Sequence, residues 1–347
     1  MADDLQKVFD AQSLLASPTR RAAYSDRTAW LMAAMSELAY YKFEGESTFA
    51  DLARDLAGIS SSSDIEARLR SFLENLNKSA DDRLQILKDV LALANFEYIN
   101  SYNKIGAQAF LARRRDNSML VLAFRGTEID PQDIKADLKA QLHPLEGDEK
   151  VHKGFLDAFN TVKKDIMVDL ETYKDSPLYI TGHSLGGALA VVATRILGSD
   201  SLGACYTFGG PRVGNLSTAE QIKTPIYRVV NSADIVPRLP PAFLPSLLIA
   251  VLKWAPFPLE WLTKWLQKLR GYVHFGDMRY LTHVAPGTDE TFVGLSLYSN
   301  PSIPARVNWL VRRLLVTRGK AAVSDHSIEL YRKKLKAYAI RRNSKSR

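Results

Sequence analysis

Cysteine is almost absent from the 347-residue sequence, in which Cys205 is the only one. A disulfide needs two cysteines, so an intramolecular disulfide framework and a cysteine-based zinc cluster are both excluded. Long apolar runs are also missing. The most apolar stretch around a candidate insertion, Leu239 to Leu252, has 14 uncharged residues and is interrupted by prolines. A membrane-spanning helix needs about 20 apolar residues, so none is expected.

The first residues, MADDLQKVFDAQ, lack the basic start and the apolar segment of a signal peptide. Export through the Sec pathway is therefore not expected. The absence of such a signal and the single cysteine favour a cytoplasmic location. Contact with a membrane surface stays open.

Acidic residues are scarce at the C-terminal end. Residues 306–347 hold 13 Lys or Arg against 2 Asp or Glu, whereas residues 1–100 hold 11 against 16. A basic segment of this kind suits an anionic lipid or a nucleic acid, but a solvated helix and tail are the more common explanation. No nucleic-acid partner is predicted.

Hydrophobic residues make up 46% of the chain and charged residues 24%, so it can bury a large core. Residues 1–100 have mainly helical periodicity and are predicted to form an N-terminal extension packed on a catalytic domain of residues 101–347. From Ile105 onwards, short apolar runs alternate with helical segments. Such alternation predicts an α/β fold with a mostly parallel sheet flanked by helices. Five runs are predicted to be strands: GAQAFLA, MLVLAF, PLYIT, ACYTF and IYRVV.

The strongest chemical signal is the G-x-S-x-G pattern formed by Gly182, Ser184 and Gly186. An apolar strand precedes it and a helix-forming segment follows it, which is the context of a nucleophile elbow. The glycines leave room for a sharp turn, and the turn presents the serine hydroxyl above the sheet edge. Ser184 is therefore the candidate nucleophile.

A serine nucleophile needs a base and an orienting acid, and in such enzymes these follow in the order Ser, Asp or Glu, His. Asp234 comes directly after the strand IYRVV, and a turn-closing role is the alternative for it. Chain order leaves His274, His283 and His326 as candidate bases. His326 is favoured because it begins a predicted helix, whereas the other two lie in a segment that alternates like strands. His183, next to the serine, is assigned a packing role.

Several segments together resemble the class 3 lipase family of α/β-hydrolases. The matching segments are FRGT at 124–127, VHKGF at 151–155, GHSLGGA at 182–188, TFGGPRVGN at 207–215, VN with DIVP at 230–237, and Asp325-His326 with Tyr331.

The resemblance implies an α/β-hydrolase fold and a lipase that cleaves acyl esters of glycerolipids. It implies Ser184, Asp234 and His326 as the catalytic triad, and backbone N–H groups of Thr127 and Leu185 as the oxyanion hole. A two-step acyl transfer on this triad requires no metal and no organic cofactor.

An apolar insertion separates the candidate acid from the candidate base. Residues 239–272 hold an amphipathic pattern in which Trp261, Trp265 and Leu269 share one helical face. Two interpretations stay open: residues 239–270 form a lid or a contact with a membrane or lipid droplet, or the apolar face packs as ordinary core. The sequence leaves the oligomeric state unknown.

Two other functions share these motifs. One is a catalytically silent lipase-like module that binds a lipid or a protein; a complete set of Ser184, Asp234 and His326 disfavours it. The other is acyl transfer to an acceptor other than water, which uses the same three residues. The sequence does not separate acyl transfer from hydrolysis.

Overall fold

The computed structural model describes most of the chain. The described residues are 5, 7–16, 23–41, 80–126, 142–198, 203–240, 271–284 and 292–345. The insertion at 241–270, the predicted oxyanion residue Thr127 and about half of the first hundred residues lie outside them. None of the helices in the described part combines the length and the apolar character that crossing a membrane requires.

A central sheet organises the described residues. Its strands are β1 (Phe96–Lys104), β2 (Ala107–Arg114), β3 (Leu120–Phe124), β6 (Leu178–His183), β7 (Cys205–Phe208), β8 (Ile226–Asn231), β9 (Asp277–Leu281) and β10 (Leu297–Ser299), in the order β1-β2-β3-β6-β7-β8-β9-β10. Every pair from β3 to β9 is parallel, and the two edges are antiparallel. A separate hairpin pairs β4 (Leu142–Pro144) with β5 (Lys150–His152).

Helices connect and cover these strands. They are α1 (Asp26–Leu38), α2 (Ala80–Leu93), α3 (Lys153–Thr172), α4 (Leu185–Leu197), α5 (Leu216–Glu220), α6 (Ile303–Val316), α7 (Ala321–Ser324) and α8 (Ile328–Lys345), with short 3₁₀ turns at Lys7–Phe9, Gln12–Leu14 and Val236–Arg238. The parallel strands need such crossover connections, because a tight turn cannot join the ends of two parallel neighbours.

Each face of the sheet has its own core. On one face, α1 and α8 pack against alternate strand residues that include Tyr206 and Val229. On the other face, α3 and α4 pack against residues that include Cys205 and Ile226. Strands covered on both faces become continuous apolar runs, which is why their positions are readable in the sequence.

The predicted strands and the α/β-hydrolase fold are confirmed. The hairpin of β2 and β3 turns at Asn117, which has a positive φ of 59°. The strand β1 was not predicted, and the proposed division between residues 100 and 101 falls inside it. That division, and the role of the insertion, stay predictions.

The helix α6 packs in an unusual orientation. Its aromatic residue Trp309 stacks on Tyr280 and Tyr298, with ring centroids 5.2 and 5.1 Å apart. None of its residues is fully buried. Four apolar side chains spaced four residues apart are exposed instead: Ile303, Val307, Val311 and Leu315.

Candidate active site

Ser184 sits on a strained turn between β6 and α4. Its backbone has φ 56° and ψ −127°, a region that side-chain-bearing residues rarely occupy. The positions on either side must be glycine, because a side chain there would collide with neighbouring backbone atoms. A Cβ on Gly182 would collide with the backbone of Gly186, and one on Gly186 would lie 2.5 Å from the carbonyl oxygen of Phe124. The turn therefore has the geometry predicted for a nucleophile elbow.

His326 lies beside this serine. The His326 Nε2 atom is 2.9 Å from the Ser184 hydroxyl oxygen, and both residues are buried. The two other candidate bases are elsewhere: His274 Nε2 is 2.5 Å from the carbonyl oxygen of Pro237, and the buried Nδ1 of His283 has no hydrogen-bond partner. Of the three histidines, the structure brings only His326 to Ser184.

Asp234 lies on the far side of the His326 ring. The His326 Nδ1 atom is 2.9 Å from Asp234 Oδ2 and 3.0 Å from Oδ1. The Val236 amide donates to Oδ1 at 2.9 Å, and the Tyr331 hydroxyl donates to Oδ2 at 2.7 Å. Burial and the adjacent Asp234 carboxylate raise the pKa of Tyr331 well above its usual value, so the phenol stays protonated and keeps donating.

A buried carboxylate, Asp325, joins the two loops that carry Asp234 and His326. It accepts hydrogen bonds from the Ala233 amide at 3.1 Å and the Ser232 hydroxyl at 3.2 Å. Its charge is paired with Arg313 of α6 at 3.2 Å. These contacts fix the loop after β8 against the residue that precedes His326.

His183 contributes more than packing. Its Nε2 atom is 2.6 Å from the His326 carbonyl oxygen, and its Nδ1 atom is 2.8 Å from the Tyr40 hydroxyl. A carbonyl only accepts, so Nε2 carries the proton and Nδ1 accepts from Tyr40. Burial and then the neighbouring His326 hold the pKa of His183 well below its usual value. A neutral imidazole thus orients the backbone of His326.

The predicted oxyanion hole is described in part. Leu185 is the first residue of α4, and the first amides of a helix have no partner within the helix. The end of β3 lies against the same turn, as the contacts of Gly186 with Phe124 and Gly126 show. The other predicted donor, Thr127, lies one residue beyond the described segment.

In the described part of the chain, no group of three or more His, Cys, Asp or Glu side chains is arranged to hold a metal ion.

Sequence reasoning missed several contributors to this site. The sequence names Tyr331 and Asp325 only through the family resemblance, with no role assigned. It does not connect Tyr40 and Arg313 with the site, because a sequence gives no distance between segments far apart in the chain. Asp325 carried one signal, its position directly before the candidate base.

The arrangement defines a chemical class. A hydroxyl, an imidazole and a carboxylate in one hydrogen-bonded line allow the serine to lose its proton as it attacks. Two solved structures share this fold. A mutant form of MDLA from Penicillium cyclopium superposes with a TM-score of 0.51 at 19% identity, covering 88% of this chain and 99% of that one. A triacylglycerol lipase with a serine protease triad gives 0.50 at 22%, covering 84% and 94%.

The sequence comparison finds a similarity over the central part of the chain. Residues 121–244 match the family model of lipase (class 3). Lipase from Rhizomucor miehei is 37% identical over 150 residues, which cover 39% of this chain and 41% of that protein. The chain thus matches less than half the length of this curated relative. Over these residues the chain is similar to the class 3 lipase family.

Proposed function

We propose that this protein is a serine-dependent hydrolase of carboxylic esters in lipids. The observation that carries the proposal is the continuous line from the Ser184 hydroxyl through His326 to Asp234, with both links at 2.9 Å. The spacing and order suit proton transfer during acyl transfer. The family match and the names of the relatives support an ester substrate.

The first half of the reaction uses His326 as a general base. Its Nδ1–H is directed to Asp234, so Nε2 accepts the Ser184 proton as the oxygen attacks the ester carbonyl. The imidazolium that forms is stabilised by the buried carboxylate. It then protonates the departing alcohol, and the acyl group remains on Ser184.

The second half repeats these steps with water. His326 takes a proton from water as the water oxygen attacks the acyl carbonyl. The bond between the acyl group and the Ser184 oxygen then breaks, His326 returns the proton to that oxygen, and the carboxylic acid leaves. In both halves the negative carbonyl oxygen needs hydrogen-bond donors already in place. We assign these to the backbone N–H groups of Leu185 and Thr127.

The substrate class follows from the relatives rather than from a described pocket. Those named above are a lipase from Rhizomucor miehei and a triacylglycerol lipase. We propose acyl esters of glycerolipids as substrates, with tri-, di- and monoacylglycerols and phospholipids as the candidates. A soluble ester with the same carbonyl chemistry is then a poorer substrate that still reports on Ser184.

Two alternatives share the site. A silent binding module has no chemical use for the aligned hydroxyl, imidazole and carboxylate. In such a module the strained backbone at Ser184 would destabilise the fold without serving a function. An acyltransferase would use the same three residues and differ only in the acceptor. Product analysis with and without an added alcohol separates transfer from hydrolysis.

We also propose that the protein works against a lipid surface. The apolar insertion at 239–270 is one candidate contact, and its residues 241–270 lie outside the described residues. The exposed apolar row of α6 is a second. Residues 303–320 carry five basic side chains and no acidic one, so this row has the character of a helix that binds an anionic bilayer.

The test is hydrolysis of p-nitrophenyl esters of graded chain length, with and without anionic phospholipid vesicles. The intact chain is expected to cleave them, faster with longer chains and with vesicles, whereas Ser184→Ala should lose about a thousandfold or more in rate. The matched control is Ser344→Ala, an exposed serine near the C-terminus. Equal rates in the intact chain and Ser184→Ala would overturn the proposal.

A further inference from the structure

Four arginine side chains cluster on one face of the sheet. Arg228 of β8 lies on the face to which Ile226 and Val230 also point. Ile226 belongs to the core beneath α4, and Val230 packs with Trp309 of α6. The cluster therefore occupies the stretch of sheet between α4 and α6. Its other members are Arg212, Arg238 and Arg306.

Direct contacts hold the cluster together. Arg212 Nη1 donates to the carbonyl oxygens of Arg238 and Pro240, both at 2.5 Å. Arg306 Nη1 is 3.7 Å from the sulfur of Met278, the residue that faces Arg228 across the β8–β9 pair. The His274 imidazole lies near Arg228 and Arg212, and its Nε2 atom is hydrogen-bonded to the carbonyl oxygen of Pro237.

In the part of the chain that the structure describes, the positive charge of the cluster is not balanced by carboxylates paired with it. Among the described residues, none of the four arginines forms a salt bridge with a carboxylate, although Asp277 lies near enough to favour the charged form of Arg228. Within the described ranges, four buried nitrogens have no hydrogen-bond partner: Arg228 Nε and Nη1, Arg238 Nε and Arg306 Nε. Buried donors without partners are rare in proteins, because each one loses its water without replacement.

The electrostatics follow from this geometry. Burial, and then the charges of Arg212 and Arg306, lower the pKa of Arg228 to about 9. Burial, and then the charge of Arg238, lowers the pKa of Arg212 to about 10. Both guanidinium groups stay charged at neutral pH, so they repel one another. An oxyanion placed among them would remove the repulsion and satisfy the unpaired donors.

We propose that the cluster formed by Arg212, Arg228, Arg238 and Arg306 is a binding site for a phosphate group. A guanidinium presents a planar pair of donors that matches two oxygens of a phosphate. Several such groups converge here, and the number of unpaired donors suits a multivalent oxyanion better than a single carboxylate.

The position of the cluster connects it with the proposed hydrolysis. Arg212 is three residues after Gly209, and a Cβ on Gly209 would lie 2.6 Å from Asp234 Oδ2. Arg238 is four residues after Asp234. A phospholipid carries a phosphate and acyl esters on one glycerol, so a head group held here would bring an ester towards Ser184. This link rests on the proposed function, whereas phosphate binding does not.

The test measures thermal unfolding of the full-length chain in the Ser184→Ala background, so that no ester is consumed. Inorganic phosphate is compared with chloride at equal ionic strength. Phosphate well above its Kd is expected to raise the Tm by about 3 °C. Arg228→Gln and, separately, Arg306→Gln should weaken phosphate binding about tenfold or more. A second position keeps the test valid if one variant does not fold.

Arg279→Gln is the matched control. Arg279 lies on β9 but on the other side of the sheet, over the rings of Tyr24 and Tyr227, so its loss should leave the phosphate-dependent Tm rise intact. Equal rises in the Arg228, Arg306 and Arg279 variants would mean a general salt effect and would overturn the proposal. A Tm in the Ser184→Ala parent that does not respond to phosphate would overturn it as well.

The same Tm measurement with two lipids distinguishes a lipid head group from a free phosphate as the source of the phosphate. Diheptanoyl phosphatidylglycerol is compared with diheptanoylglycerol, which has the same acyl chains and no phosphate. A Tm rise with the phospholipid alone, lost in Arg228→Gln, supports a lipid head group as the occupant. A response to inorganic phosphate with none to the phospholipid supports a free phosphate. Neither result depends on catalysis by Ser184.

Discussion

The Tyr331 hydroxyl completes the surroundings of the candidate acid. It accepts the Asn231 amide at 2.8 Å and donates to Asp234 Oδ2 at 2.7 Å. A carboxylate held by a phenol, an imidazole and a backbone amide has little freedom to rotate. Tyr331 is therefore a positioning residue, acting on His326 through Asp234.

Tyr331→Phe should lower kcat on a soluble ester about tenfold with little change in KM. The variant removes one hydrogen bond to a charged group, which contributes roughly 1.5–3 kcal/mol. Steady-state kinetics with p-nitrophenyl butyrate separate the two constants. The control is Tyr338→Phe on the same helix, expected to behave like the unmodified chain. A rise in KM with unchanged kcat would contradict a positioning role.

His152 is a buried histidine, and neither of its ring nitrogens has a hydrogen-bond partner among the residues that the structure describes. Its ring stacks on Phe155 with the centroids 4.2 Å apart. Burial lowers its pKa from 6.5 to about 4. Between pH 4 and pH 6.5, the His152 ring is protonated in the unfolded chain but stays neutral in the folded chain. The stability contributed by the neutral ring is therefore complete above pH 6.5 and is lost as the pH falls towards 4.

The free energy of unfolding should fall by up to about 3 kcal/mol more in the unmodified chain than in His152→Phe between pH 7 and pH 4. The phenyl ring keeps the stacking and cannot be protonated. Urea unfolding at several pH values gives both curves, and their difference cancels the other titrating groups. Parallel curves would show that His152 does not contribute to acid lability.

At the scale of an element, α6 reverses the usual arrangement of an amphipathic helix. Trp309 and Arg313 hold it to the body of the protein, the latter through Asp325 next to His326. Its apolar row faces outward: Val311 is 46% and Leu315 73% exposed. A lipid surface bound there would lie one short helix away from the candidate base.

Replacing Val311 and Leu315 by Asn should weaken binding to anionic vesicles about tenfold, because both side chains lose apolar area that the bilayer would cover. Co-sedimentation with phosphatidylglycerol vesicles measures it. Val168→Asn, an exposed valine on α3, is the matched control. Hydrolysis of a soluble ester checks that the fold survives. Unchanged binding would assign the lipid contact elsewhere, with residues 239–270 as the remaining candidate.

The sequence predicted the elements around the elbow well, because β6, β7 and β8 are buried on both faces and become short apolar runs. It did not predict β1, whose sequence FEYINSYNK mixes polar and aromatic residues on a strand covered unevenly. Ser184 and Asp234 were identified from motifs that follow strands. The arginine cluster was not found, since its members come from four separate segments and only the packing of β8, β9 and α6 brings them together.

Across the whole molecule, the uneven charge of the sequence has a structural counterpart. The basic helix α8 packs on α1 and forms ion pairs with acidic residues of the N-terminal segment. Arg332 pairs with Glu37 at 2.5 Å, Lys336 with Asp10 at 2.6 Å and Arg342 with Asp26 at 2.8 Å. The Arg332–Glu37 pair is largely buried, whereas the Arg342 pair is exposed on the arginine side and contributes little. Three basic side chains of α8 are thus paired with acidic residues near the start of the chain.

The central claim is that Ser184 carries the acyl group. Mixing the intact chain with a slow p-nitrophenyl ester, quenching in acid and mapping the adduct by mass spectrometry measures this directly. We expect one acyl group per chain, located on the peptide that contains Ser184 and absent from Ser184→Ala. An acyl group on another residue, or turnover that persists in Ser184→Ala, would contradict the account.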